Sequence, residues 1–252
     1  MRHVHVVRYV TPLREGGSLP AIVEADDLGQ YVLKFRGAGQ GPRALIAEVL
    51  AGHFAAALGL RVPDRVFATL DASLAMTEPD PEIQDLIRAS AGLNFGIDYL
   101  PGSATFDPAA DPVEPELASR IVWFDAFISN VDRTARNSNM LMWHDALWLI
   151  DHGAALYFHH NWDGSTAAAA SRFPMVRDHV LLPRASLLQE VDASSRERIA
   201  AAIGDAVGLL PDAWLAPSEL GPPDAVRSAY RGYFEQRLRE RGFLEEALDA
   251  RR

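Results

Sequence analysis

The stretch that decides the expected fold is residues 122–156, VWFDAFISNVDRTARNSNMLMWHDALWLIDHGAAL. A helix is predicted to begin shortly before this stretch and to run into it. Its buried face is indicated by apolar residues at spacings of four, three and four: Leu117, Ile121, Phe124 and Ile128. A polar loop follows over residues 130–139. Two short apolar runs, 140–143 and 147–150, then flank His144-Asp145-Ala146, which has the length and polarity of a hairpin turn.

This hairpin is expected to bring polar side chains together. Its turn centres near residue 144 or 145, so Asn137 and Asp151 should fall nearly opposite each other. Cross-strand neighbours have Cβ atoms about 5 Å apart. Asp132 lies five residues before Asn137 on the same loop. Carboxylate and amide oxygens suit Mg²⁺, which completes its shell with water and substrate phosphates, and a further carboxylate can accept a hydroxyl proton.

Asp132-x-x-x-x-Asn137, followed after one hairpin by Asp151-His152-Gly153, resembles the catalytic loop and metal aspartate of the protein-kinase-like and phosphoinositide-kinase-like superfamily. Over most of residues 15–160 the chain is most similar to the HipA-like kinases. Their loop has the same spacing and lacks the histidine and arginine that precede the catalytic aspartate in eukaryotic kinases. The alternative is a polar loop that only caps a turn.

The resemblance implies a two-lobed α+β kinase-like fold. Residues 1–100 would form a lobe of a small antiparallel sheet and one helix, and residues 101–252 a mainly helical lobe with the catalytic loop. Mg-ATP would lie in the cleft. Asp132 would accept the proton of the acceptor hydroxyl, while Asn137 and Asp151 would hold Mg²⁺.

Some properties of the family do not transfer directly to this chain, and the roles of the loop arginines have two interpretations. Arg133 or Arg136 would neutralise charge on the transferred phosphoryl group, or either would form a salt bridge within the loop. His152 stands where protein kinases have phenylalanine, which argues against a phenylalanine-based switch. The chain is also much shorter than the founding toxin of the family, so neither that toxin's role nor its protein substrate carries over.

The N-terminal third is predicted to contain strands at 3–10, 21–25 and 31–35, with a glycine-containing turn at 12–20. In a kinase-like fold, the backbone N–H groups of Gly16, Gly17 and Ser18 would approach phosphate oxygens closely. Two glycines can equally mark only a turn.

Lys34 is a charged residue inside the apolar run 31–35. It would hold nucleotide phosphates, or it would be an edge-strand lysine that discourages aggregation. Glu48 is the only acid in the predicted helix 42–58. A lone glutamate among apolar neighbours needs a cation, and Lys34–Glu48 resembles the lysine–glutamate ion pair of kinases. The alternative is a helix glutamate that faces water.

The rest of the chain is predicted to supply further strands and helices. These are a strand at 65–69, a helix at 81–89, a strand at 94–100, a proline-rich linker at 103–115, and helices at 183–209 and 223–248. In a kinase-like fold, the connector after the strand 94–100 would bind adenine through the backbone of Asp98, Tyr99 and Leu100.

Composition narrows the class of protein. The chain has 252 residues, no cysteine and a formal net charge of −10. These values exclude disulfides and argue against nucleic acid or an anionic membrane surface as a partner. No apolar run approaches 18 residues, and the N-terminus is too polar for a signal peptide. We therefore expect a cytoplasmic protein.

The expected activity is ATP-dependent transfer of a phosphoryl group to a hydroxyl, on a protein serine or threonine or on a small molecule. A nucleotide-binding regulator without transfer is the alternative, because fold does not imply function. A histidine-metal hydrolase is a third candidate, from His144, His152, His159 and His160. The acceptor and the oligomeric state do not follow from these patterns.

Overall fold

The computed structural model describes residues 1–13, 19–39, 41–216 and 218–252. Gly16, Gly17 and Ser18, predicted to approach phosphates, lie outside the described residues. The chain divides into two compact units, Met1–Ile46 with Pro63–Gly102, and Ala47–Val62 with Ser103–Arg252. The two lobes expected from the sequence, residues 1–100 and 101–252, stay a prediction.

The first unit contains a closed five-stranded barrel. Its strands follow the spatial order β1, β2, β3, β5, β4 and have these bounds: β1 Arg2–Pro12, β2 Ala21–Ala25, β3 Gln30–Lys34, β4 Arg65–Leu70 and β5 Gly92–Asp98. The sequence predicted a small antiparallel sheet, and this prediction is wrong in that the five strands close into a barrel with one parallel pairing. The start of β1 pairs in parallel with β4, from Arg2 opposite Val66 to His5 opposite Thr69, and this pairing closes the barrel.

A glycine allows the barrel interior to close. Gly96 on β5 pairs with Leu33 on one side and Val66 on the other. A Cβ at Gly96 would lie 2.9 Å from Val66 Cγ2 and 3.5 Å from Tyr31 Cβ. The missing side chain therefore leaves room for inward-facing neighbours that fill the barrel, among them Val4, Val23, Tyr31, Leu33 and Val66.

Two helical elements connect β4 to β5, a 3₁₀ helix at Ala72–Thr77 and α2 at Pro81–Ala89. The α2 bounds match the sequence prediction. Asp80 caps α2 by accepting a hydrogen bond from Glu82 N–H, and Pro81 occupies the first turn. The earlier helix α1, Pro42–Ala57, begins in the first unit, and its residues from Ala47 onward belong to the second.

The second unit combines a three-stranded sheet with helices. Its sheet has the order β6, β7, β8, and the element bounds are β6 Ala104–Thr105, α3 Pro115–Phe127, β7 Met140–Trp143, β8 Ala146–Leu149, α4 Leu188–Gly208, α5 Asp212–Leu215, α6 Pro223–Glu240 and α7 Gly242–Arg251. Short 3₁₀ helices occupy much of the segment from Tyr157 to Arg184. The predicted helix at 183–209 thus begins five residues later, at Leu188, after a 3₁₀ turn that contains Pro183.

Aromatic side chains form the core of the second unit. Phe127 at the end of α3 lies 5.4 Å from Trp123, 5.8 Å from Phe54 and 5.6 Å from both Phe234 and Phe243, measured between ring centroids. Such ring pairs add stabilisation beyond their burial. Helices α1, α3, α6 and α7 therefore meet around Phe127.

The predicted helix 223–248 is two helices. Arg241 interrupts it with a left-handed backbone, φ 59°, and α7 begins at Gly242. A Cβ at Gly242 would lie 2.5 Å from Ala170 O, so the chain can approach Ala170 only at a glycine. Among the described helices, none is both long and apolar enough to cross a membrane.

Candidate active site

The polar loop predicted to be catalytic follows α3 and is anchored to a buried carboxylate on that helix. Asp125 is fully buried. Asn130 Nδ2 donates to Asp125 Oδ1 at 2.8 Å, and Arg133 Nε donates to Asp125 Oδ2 at 2.5 Å. His179 Nε2 lies 2.9 Å from the same Oδ2. The two loop residues that flank the predicted base Asp132 are therefore held by one carboxylate.

The Asp125 carboxylate is charged in this environment. Burial opposes its ionisation, but the Arg133 guanidinium and the hydrogen bond from His179 outweigh burial and hold the pKa of Asp125 below its ordinary value. A buried carboxylate with several charge-assisted hydrogen bonds is a strong local anchor. The loop therefore depends on a fixed internal charge rather than on solvent-exposed contacts.

Asp132 is oriented by two amide side chains. Asn137 Nδ2 donates to Asp132 Oδ2 at 2.9 Å, and Asn139 Nδ2 donates to the same oxygen at 3.2 Å. The Asp132 N–H in turn donates to Asn130 Oδ1 at 3.2 Å. The structure thus brings the predicted base and the predicted metal ligand Asn137 together. Because the nitrogen of Asn137 faces Asp132, its Oδ1 is the atom left to bind a cation.

The two loop arginines have different environments. Arg133 is 1% exposed and, besides Asp125, donates from Nη1 to Asn139 O at 2.5 Å. These contacts favour the salt-bridging alternative for Arg133. Arg136 is exposed, so it is the loop arginine that can still face a phosphoryl group.

The hairpin has a two-residue turn rather than the three-residue turn predicted. His144 and Asp145 both have positive φ, 49° and 56°, as in a type I′ turn. The ladder pairs Met140 with Leu149, and Ile150 N–H donates to Asn139 O at 3.0 Å. The ladder ends at Leu149, so the expected position of Asp151 nearly opposite Asn137 stays a prediction.

Asp151 itself has a left-handed backbone, with φ 55°. A non-glycine residue in this region costs free energy and often marks a functional position. The chain therefore changes direction at Asp151, two residues after β8 ends at Leu149.

Glu48 is 2% exposed, so the water-facing alternative is wrong. Its Oε2 lies 3.8 Å from Nδ1 of His152, the residue after Asp151. Burial lowers the pKa of His152, and the Glu48 hydrogen bond only partly offsets this effect. Phe124 packs edge-on against the His152 ring, with 5.7 Å between centroids. His152 therefore packs against an aromatic ring and a carboxylate.

Lys34 lies on β3, between β2 and β5 of the closed barrel, and is 9% exposed. The edge-strand alternative is therefore wrong, because β3 has no free edge. The sequence carries one further signal at this position. Of the 24 Lys and Arg residues 23 are Arg, so Lys34 is the only lysine in the chain. The only ammonium side chain among the 24 Lys and Arg residues therefore occupies a buried position on the barrel. An ammonium is a compact point charge, whereas a guanidinium is planar.

In the predicted adenine connector, Asp98 to Leu100, two of the backbone N–H groups already donate hydrogen bonds within the protein. The N–H of Asp98 donates to Asp64 O at 2.7 Å, and the N–H of Tyr99 donates to Gln30 O at 3.0 Å. Burial, followed by the Asp64 carboxylate, raises the pKa of Asp98. Leu100 is buried. A base bound here would therefore use carbonyl groups or the Leu100 N–H rather than those two amides.

The histidines do not assemble as a metal site. His159 is buried with Nδ1 3.0 Å from Tyr230 Oη, His152 faces Glu48, and His144 is exposed in the hairpin turn. Within the described ranges, no group of three or more His, Cys, Asp or Glu side chains could hold a metal ion. The hydrolase alternative therefore has no ligand set in this part of the chain.

Several residues of the loop framework were missed in the sequence. They are Asp125, Asn130, Asn139 and His179. Asn139 could have been found from the polar run Asn137-Ser138-Asn139. Asp125 gave a weaker signal, as an acid within the apolar helix before the loop. His179 gave none, since it lies 54 residues from Asp125 in sequence.

Comparison with solved structures identifies the class of fold as that of a kinase. The structure of a Helicobacter pylori proinflammatory kinase, CtkA, superposes with a TM-score of 0.56 and 12% sequence identity, covering 96% of this chain and 97% of that one. The Golgi casein kinase with Mn/ADP bound gives a TM-score of 0.48 and 12% identity, covering 96% and 74%. The search of curated proteins found no significant match.

The sequence places the chain within a particular family of kinases. Residues 6–223 match the family model described as HipA-like kinase. The chain therefore belongs to the HipA-like kinase family, as the resemblance of the catalytic loop predicted. Membership supports phosphotransfer as the class of reaction.

Proposed function

We propose that this protein transfers the γ-phosphoryl group of Mg-ATP to a hydroxyl acceptor, a protein serine or threonine being one candidate. The observation that carries the proposal is the fixed Asp132 carboxylate, which accepts hydrogen bonds from Asn137 and Asn139 on a loop anchored to Asp125. A preorganised carboxylate is the group that acceptor deprotonation needs. Family membership supports the same reaction class.

Each residue has a distinct role in this proposal. Asp132 accepts the proton of the acceptor hydroxyl as its oxygen bonds to the γ-phosphorus and ADP departs. Lys34 holds phosphate oxygens, and Glu48 is the acid that the family resemblance assigns to the lysine. Backbone groups near Asp98, Tyr99 and Leu100 contact the adenine.

The donor set fits magnesium. Asn137 offers a carbonyl oxygen, since its nitrogen is bonded to Asp132, and Asp151 offers a carboxylate at the end of the hairpin. Oxygen donors of this kind are the ligands that Mg²⁺ prefers. When bound, the ion neutralises charge on the β- and γ-phosphates.

A nucleotide-binding regulator would share the binding residues but would not transfer phosphate. Asp132→Asn separates the two functions because asparagine keeps the size and an accepting oxygen while it removes the basic carboxylate. We expect phosphate transfer from γ-labelled ATP, to itself or to extract proteins and metabolites, to fall by about a hundred- to ten-thousand-fold. Calorimetric affinity for Mg-ATP should stay within a fewfold of wild type.

Asp145→Asn is the matched control, since Asp145 is exposed in the hairpin turn. It should change neither binding nor transfer. Transfer that persists undiminished in Asp132→Asn would contradict the proposed base. A wild-type protein that binds Mg-ATP but transfers phosphate to nothing would favour the regulator.

A further inference from the structure

We propose that His179 is a positioning residue for Asp132 and acts through Asp125; this inference rests on the proposed function of the loop. His179 lies on a different segment from the loop, at the end of the 3₁₀ helix Pro174–Asp178. It is 6% exposed, and its ring contacts the carboxylate that anchors the loop.

The hydrogen bonds of His179 define its tautomer. The backbone N–H of Leu181 donates to His179 Nδ1 at 3.0 Å, so Nδ1 carries no proton. The proton of the neutral ring therefore lies on Nε2, which donates to Asp125 Oδ2 at 2.9 Å. His179 is thus a fixed donor directed at one oxygen of the anchor.

Two routes lead from Asp125 to Asp132. In the first, Asn130 donates from Nδ2 to Asp125 Oδ1 and accepts the Asp132 N–H at its own Oδ1. In the second, Arg133 donates from Nε to Asp125 Oδ2 and from Nη1 to Asn139 O. The Asn139 side chain then donates to the Asp132 carboxylate. Both the backbone and the carboxylate of Asp132 are therefore located by groups that Asp125 holds.

The backbone joins the two segments at the same place. Val180 N–H donates to Arg133 O at 3.1 Å, and Thr134 and His179 form an isolated antiparallel bridge. The side chains of Asp125 and Arg133 are fully buried, and that of His179 nearly so. Because water has little access, loss of the His179 donor leaves Asp125 Oδ2 short of a partner, and the loop must shift to compensate.

A small shift of Asp132 affects the chemical step more than nucleotide binding. Misplacement of a reacting group by about 1 Å can cost on the order of a hundredfold in rate. Asp132 is assigned to the acceptor and not to the metal. A disturbed His179 should therefore lower kcat while KM for Mg-ATP changes little.

Two substitutions separate the two hydrogen bonds of His179. His179→Asn retains an oxygen that can accept the Leu181 N–H but is too short to reach Asp125. His179→Gln places an amide nitrogen near the position of Nε2, so it restores the donor to Asp125. We would measure ADP release from Mg-ATP, and amide hydrogen exchange of residues 130–139, in the wild-type chain of 252 residues and in both variants.

We expect kcat in His179→Asn to fall by about tenfold to a hundredfold, with KM for Mg-ATP within threefold of wild type. Exchange of the loop amides should rise in this variant, and His179→Gln should restore both measurements toward wild type. Equal losses in the two variants would overturn the role of the Asp125 bond.

Amide hydrogen exchange of the loop tests the positioning role even if ADP release gives no answer. Loop exchange that is unchanged in His179→Asn would overturn the positioning role at any level of activity. A wild-type protein that releases no ADP would instead overturn the proposed function. In that case, faster exchange in His179→Asn but not in His179→Gln would still support positioning.

Discussion

Asp132 and Asn137 are joined side chain to side chain, with Asn137 Nδ2 donating to Asp132 Oδ2 at 2.9 Å. This bond has two consequences. It holds the carboxylate in one orientation together with Asn139, and it turns the carbonyl oxygen of Asn137 away from Asp132. One amide therefore serves both the proposed base and the proposed metal site.

Asp151→Asn should weaken Mg-ATP binding itself, because a metal ligand loses its charge. Asparagine tolerates the positive φ of Asp151 better than most residues, so the fold should persist. Asp145→Asn is the matched control, since Asp145 is also an aspartate with positive φ in the same hairpin. Titration calorimetry with Mg-ATP should give weaker binding only for Asp151→Asn. Equal affinities in the two variants would remove Asp151 from the metal site.

Lys34 should react selectively with a nucleotide-directed amine reagent. Because it is the only lysine, an acyl-phosphate derivative of ATP has one side-chain amine to modify, besides the N-terminal amino group. Mass spectrometry should locate the label at Lys34, and excess Mg-ATP should suppress it. The same acyl phosphate without the nucleoside should label Lys34 much less. Labelling confined to the N-terminus would contradict a phosphate-binding lysine.

Glu48→Gln should lower either ATP affinity or turnover while cooperative unfolding is retained. The substitution removes the negative charge of a buried side chain that lies 3.8 Å from His152 and that the resemblance pairs with Lys34. Glu235→Gln, at an exposed position of α6, is the control. If affinity and turnover both equal those of wild type, Glu48 has no part in nucleotide binding, and the lysine–glutamate pairing fails.

Arg237 should be essential for the stability of the second unit. It is 1% exposed and donates to four backbone carbonyls and one hydroxyl: Ala126 O, Phe127 O, Ala169 O, Ser171 O and Ser129 Oγ. Two of these carbonyls belong to the last turn of α3, where a cation is favourable. Arg237→Met removes five hydrogen bonds to backbone carbonyls and a hydroxyl and should lower the free energy of unfolding by about 3 kcal/mol or more.

Denaturant titration can test this prediction against a neighbour on the same helix. Arg239 is exposed on α6, and its guanidinium donates two hydrogen bonds to Gln236 Oε1. Arg239→Met should change the free energy of unfolding by less than about 0.5 kcal/mol. Similar values for the two variants would show that the carbonyl contacts of Arg237 contribute little.

Asp125 should make stability depend on acidic pH. Its pKa is lowered from 3.8 in the folded state, so its contribution is present above pH 3.8 and is lost as pH falls through the folded pKa. The free energy of unfolding of wild type should therefore exceed that of Asp125→Asn at pH 6. The difference should shrink below about pH 4. A difference that is constant from pH 6 to pH 3 would contradict a charged Asp125.

Local chemistry made much of this protein predictable. Asp80 and Pro81 mark the start of α2, and its bounds were predicted without error. The apolar runs on either side of residues 144 and 145 predicted a hairpin, and the spacing of Asp132 and Asn137 predicted that they work together. Each of these features depends on residues a few positions apart, whose turns, caps and periodicity act over short distances.

Tertiary structure decided the features that join distant parts of the chain. The parallel pairing of β1 with β4 closes the barrel. The pairing of β3 with both β2 and β5 makes Lys34 an interior residue rather than an edge residue. The two-residue turn shifts the register of the hairpin by one step, so that Trp143 pairs with Ala146 and Met140 with Leu149. A pattern within one strand does not specify such a step, because turn geometry and the packing of both faces set the register.

The residues that support the candidate site also divide into those that local sequence predicts and those that only the folded chain brings together. The sequence by itself determined the polar loop, its spacing and the helix before it. Only the folded chain brings His179 to Asp125 across 54 residues and Arg237 to the end of α3 across 110. Buried polar groups must find partners wherever the chain supplies them. Which distant residue becomes that partner depends on the packing of the whole unit, and no local pattern records it.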